Sequence, residues 1–64
     1  MFYLYVIHDG GAGYYESHSD YEVELSPTID GAASFPSKTI AEALHNYLVD
    51  NCSVSYCEVV DARQ

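Results

Sequence analysis

Between Tyr14 and Leu25 the residues Glu16, His18, Asp20, Glu22 and Glu24 share one parity, while Tyr15, Ser17, Ser19, Tyr21, Val23 and Leu25 share the other. In a strand, neighbours on one face stand about 6.6 Å apart, so four carboxylates in this row could stand in for a run of phosphates. A break at Ser17-His18-Ser19-Asp20, a tetrapeptide of turn-favouring residues, is the competing expectation. Even then Glu22 and Glu24 stay together and outward.

Other chemistry is poorly supplied. His8-Asp9 and His18-Ser19-Asp20 could meet across a hairpin, but zinc needs three or four ligands in tetrahedral array, and solvated loop residues are the simpler expectation. Serines and cysteines are present without a G-x-S-x-G or C-x-x-C motif. Glu22 and Glu24 lack the burial that drives two carboxyl pKa values apart. Asp9-Gly10-Gly11-Ala12-Gly13 follows a strand but leads into neither a helix pattern nor a Gly-Lys-Ser/Thr ending, so it is a turn and not a phosphate cradle. No catalytic residue, metal or cofactor is assigned, and the chain is not expected to be an enzyme.

Ten carboxylates against Lys38 and Arg63 give 64 residues a formal net charge of −8. Self-repulsion of that size opposes compaction and repels nucleic acid and anionic lipid, while it attracts a basic surface and speeds encounter with it. Direct binding to nucleic acid or membrane is therefore not expected; a basic protein partner is.

The elements that must position these acids follow from periodicity. Residues 2 to 8 are β-branched and aromatic, with Phe2, Leu4 and Val6 on one face and Tyr3, Tyr5 and Ile7 on the other, which suits the middle of a sheet. Pro27 closes the second strand region, and the loop at 26 to 36, carrying Asp30-Gly31, is long enough to be a contact element. Ser37 can cap a helix, Thr39 and Glu42 fit a capping box, and Ile40, Leu44, Tyr47 and Leu48 form the apolar stripe. Glu42, His45, Asn46 and Asp50 then face water, and Asn51, tolerant of the left-handed region, is the expected stop. Ser53 to Val60 makes a last strand, with Val54, Tyr56, Glu58 and Val60 on one face. The expected fold is α+β: a small antiparallel sheet of three to four strands with one amphipathic helix on one face, β-β-α-β, or β-β-β-α-β if the tetrapeptide is a turn, in a single domain over residues 1–64.

A chain of this size builds one thin core and often needs a supplement. A homodimer is expected more than a disulfide or a metal, and Cys52 and Cys57 read as buried free thiols on opposite faces of one strand. No signal peptide or membrane span is apparent, and a cytoplasmic setting is expected, in a bacterial host. Seven tyrosines cannot all be buried in so thin a core, and Tyr15 and Tyr21, beside the acid row, are candidate anchors for a partner.

A short, acidic, Tyr-rich chain with this element order resembles the small inhibitors that bacteriophages and mobile elements make against host defences, particularly anti-CRISPR proteins of type I systems. The features that carry the likeness are Glu16, Asp20, Glu22 and Glu24 with the helix acids Glu42 and Asp50; it is a likeness of kind and involves no signature motif. It implies a DNA mimic whose carboxylates, Asp30 among them, would replace phosphates before Lys and Arg of a Cas effector subunit. The alternatives are a small homo-oligomeric structural or regulatory module and an antitoxin-like inhibitor of a basic nuclease.

Overall fold

The computed structural model describes residues 1–19 and 22–62. Four strands, β1 (Phe2–His8), β2 (Gly11–His18), β3 (Val23–Ser26) and β4 (Tyr56–Asp61), form one antiparallel sheet in the order β3-β2-β1-β4. A 3-10 turn (Ile29–Gly31) and one helix, α1 (Lys38–Asn51), lie between β3 and β4. The fold is α+β with four strands, β-β-β-α-β, and the two-faced β1 lies in the interior of the sheet as its apolar faces require.

Asp9 and Gly10 alone make the β1–β2 turn, with φ of 53° and 81°, and His8 pairs with Gly11. Two positive φ values in a two-residue connection match the right-handed twist of the strands it joins, and Asp-Gly suits that turn. Gly11 and Gly13, expected in the turn, are therefore strand residues. Gly13 is needed because a Cβ there would sit 2.7 Å from the Ser26 carbonyl oxygen.

Residues 14 to 25 are not one strand. The Ser19 N–H donates to the Glu22 carbonyl at 2.9 Å, closing the reversal between β2 and β3, so Ser17 and His18 belong to a strand and not to the turn. The pairing also slips between Tyr15 and Ser17. That bulge leaves Glu16 as the extra residue and inverts the phase of the strand beyond it. Ser17 then pairs with Glu24, and His18 pairs with Val23 on the same side as Tyr15.

Beyond the Tyr5–Tyr14 pair β1 and β2 diverge, and the segment from Ala33 to Phe35 fills the gap. The Ala33 N–H donates to Tyr15 O at 3.0 Å, and Phe2 and Phe35 exchange backbone bonds of 2.9 and 2.8 Å. This part of the long loop completes the sheet.

Ser37 caps α1, its Oγ accepting from the Ile40 N–H at 3.2 Å, so the Thr39–Glu42 capping box is not the cap in use. The inward stripe is Ala41, Leu44, His45, Leu48 and Cys52, rotated from the expected one; Ile40 and Tyr47 are 49% and 43% exposed. Leu44 and Leu48 fit both stripes, and small Ala41, wholly buried where Ile40 was expected, allows the helix to lie close on the sheet. Asn51 does not adopt the left-handed stop: its Nδ2 donates to Tyr47 O at 3.0 Å, and Ser53 takes φ 53° two residues on.

Leu4, Val6, Tyr15, Ala41, Leu48 and Cys52 form the core between helix and sheet, flanked by Phe2, Leu25, Phe35, Leu44 and Val59. Burying each large aliphatic side chain contributes about 1.5–3 kcal/mol. Cys52 caps the helix C-terminus and only Cys57 lies in a strand; both are free thiols.

Candidate partner-binding surface

Of the ten carboxylates, Asp20 lies outside the described residues and the other nine are all exposed. The fold does not align them as a row. Glu16 stands at the bulge of β2, Glu22 at the reversal, Glu24 on β3 opposite Ser17, and Asp30 in the 3-10 turn, while Glu42 and Asp50 lie on the helix. The reversal and the bulge together break the alternation that would have carried four acids on one face.

Of the two tyrosines expected among the acids, Tyr21 is outside the described residues and Tyr15 is a core residue, 7% exposed. Its hydroxyl shares a 2.6 Å hydrogen bond with His18 Nδ1, and the His18 ring lies 5.8 Å from that of Tyr15 and 5.3 Å from that of Tyr47. Burial, with the electrostatics of Cys52 second, raises the Tyr15 hydroxyl above its ordinary pKa. Tyr15 is thus structural, and its expected part in partner binding is corrected.

Tyrosines do gather elsewhere. Residues paired across a sheet share a face. Tyr3, Tyr5 and Ile7 therefore stand with Val60, Glu58 and Tyr56 of β4 and with Tyr14 and Ala12 of β2, on the side opposite Leu4 and Val6. The single helix packs on the other side, against the core. The Tyr5 and Tyr14 rings meet edge to face with centroids 5.4 Å apart. Tyr56 is 47% exposed, and the Glu58 carboxylate beside it raises its hydroxyl pKa. Strand alternation placed Tyr56, Glu58 and Val60 together in the sequence; their pairing with Tyr5 and Tyr14 needed the register.

Where α1 meets the β4 edge, Glu42, His45, Asn46, Cys57, Glu58 and Val59 line an open cleft of about 480 Å³. His45 is only partly exposed, contrary to the expectation that it faces water, because its Nε2–H donates to the Cys57 carbonyl at 3.0 Å. Cys57 is pushed up to about 11, by burial first and the charge of Glu58 second. A thiol held protonated is a poor nucleophile. What the cleft does bring together is a helix acid, Glu42, and a strand acid, Glu58, and Glu58 also borders the tyrosine face. No cluster of three His, Cys, Asp or Glu suited to a metal occurs among the described residues.

Fold and surface define a small α+β domain with a tyrosine-rich uncovered sheet face and an exposed acidic periphery. Comparison with protein-family models, curated proteins and solved structures finds no match to this chain.

Proposed function

We propose that this protein is an acidic inhibitor that binds and occludes the basic nucleic-acid-binding surface of a bacterial defence complex, a CRISPR-Cas effector subunit above all, by DNA mimicry. The observation that carries this is that all nine described carboxylates are exposed, in a chain of net charge −8. Such a periphery competes with phosphates for Lys and Arg and steers encounter over roughly a Debye length, about 8 Å at physiological salt. The mimicry is one of dispersed charge rather than of a linear phosphate row.

The test is capture from a bacterial lysate on tagged protein, washed in a salt series. The expected result is retention of a basic nucleic-acid-binding protein that salt releases and duplex DNA displaces; retention unaffected by salt and DNA overturns the proposal.

A second reading, a homo-oligomeric structural or regulatory module, is favoured by one observation: the second face of β1, with Tyr3, Tyr5 and Ile7, has no helix over it. It requires stability that rises with protein concentration.

A further inference from the structure

The uncovered sheet face presents Tyr3, Tyr5, Tyr14, Tyr56, Ile7 and Val60, with Glu58 set among them opposite Tyr5 and with Glu24, paired with Ser17 on the side away from Tyr15 and Leu25, at its β3 end. An occupant that covers it must desolvate Glu58, and a buried carboxylate is costly unless it is paired. Among the described residues no lysine or arginine stands on this face; Lys38 opens α1 on the other side of the sheet. A second copy meeting it face to face would bring a second Glu58, with no lysine or arginine among the described residues of that face to pair with it. Nucleic acid or anionic lipid would bring more negative charge. The occupant that balances the face carries its own cations, and those cations meet aromatic rings.

We infer that this face, centred on Glu58 rather than on the acids at the β2–β3 reversal, is where a basic protein partner docks, with arginine guanidinium groups laid over Tyr5, Tyr14 and Tyr56 and forked onto Glu58; this rests on the function proposed above. Guanidinium suits the site better than ammonium, since it stacks on rings and meets a carboxylate with two parallel N–H bonds. The acids elsewhere steer approach. Tyrosine loses little conformational freedom on contact, and Tyr5 and Tyr14 already brace each other.

The test uses isotope-labelled full-length protein titrated with an oligoarginine peptide and, separately, an oligolysine peptide of equal length, followed by NMR in about 0.15 M salt. The expected result is saturable shifts at Tyr3, Tyr5, Tyr14, Tyr56 and Glu58, with arginine binding about three-fold tighter than lysine, and loss of that preference in Glu58→Gln, a change at an exposed side chain. Shifts confined to Glu22, Glu42 and Asp50 with equal affinity for both peptides overturn the docking face but leave a basic partner standing. No saturable binding of either peptide overturns both. Shifts of the tyrosine face on protein dilution alone, without peptide, assign the face to a second copy and overturn the inference.

Discussion

His45 of the helix donates through Nε2 to the carbonyl of Cys57 on β4, at 3.0 Å. Since β4 is an edge strand, one of its outward polar groups is thereby satisfied by the layer above it. The bond ties α1 to the strand that carries Tyr56 and Glu58. It fixes the edge of the proposed docking face.

Replacing His45 by Ala removes that donor from a part-buried carbonyl. A loss of about 0.5–1.5 kcal/mol is expected, read from urea denaturation. Amide exchange should quicken along β4 more than along β2. Equal acceleration in both strands would show that the bond holds no element in particular.

Gly13 and Gly11 should respond oppositely to Ala. At Gly13 the new Cβ meets the Ser26 carbonyl oxygen at 2.7 Å and Leu25 Cβ at 3.1 Å, so β2 and β3 must part; overpacking of this kind costs about 1–3 kcal/mol. At Gly11 the nearest atom is His8 O at 3.7 Å, ordinary contact, and a strand glycine replaced by Ala gains about 0.5–1 kcal/mol. Thermal melts of the two variants distinguish these outcomes, and a stable Gly13→Ala protein would contradict the strand pairing.

Alkali should unfold the protein by a predictable route. Cys57 titrates at about 11 when folded against an ordinary 9.0, so above pH 9 the unfolded chain loses its proton first. The stability it contributes is complete below pH 9 and is lost as pH rises through about 11. Tyr15, raised by burial and then by Cys52, acts in the same direction above pH 10. Urea midpoints should fall across this range, and less steeply in Cys57→Ala. Midpoints independent of pH from 9 to 11 would refute the burial of this thiol.

Reversing Glu22 and Glu24 together to Lys should leave the fold intact, since both are exposed, and should weaken binding of the captured basic partner mainly by slowing association. An effect on rim charges of this kind shrinks as salt rises. Stopped-flow association rates at two ionic strengths give the answer; unchanged rates at low salt would remove electrostatic steering from the mechanism.

Local chemistry decided much of this protein in advance. Asp9-Gly10 fits a tight hairpin, Ser37 caps the helix, β1 has two apolar faces, and the net charge is −8, because each depends on residues adjacent in sequence or on composition. Tertiary structure decided the rest. The bulge at Glu16 put His18 on the same side of the sheet as Tyr15, and no alternation rule can anticipate an inserted residue. Close packing on the sheet chose Ala41 over Ile40, a choice of volume that periodicity does not register. Strand register brought Tyr5, Tyr14, Tyr56 and Glu58 onto one face from three strands, and such non-local pairing exists only once the chain has closed on itself.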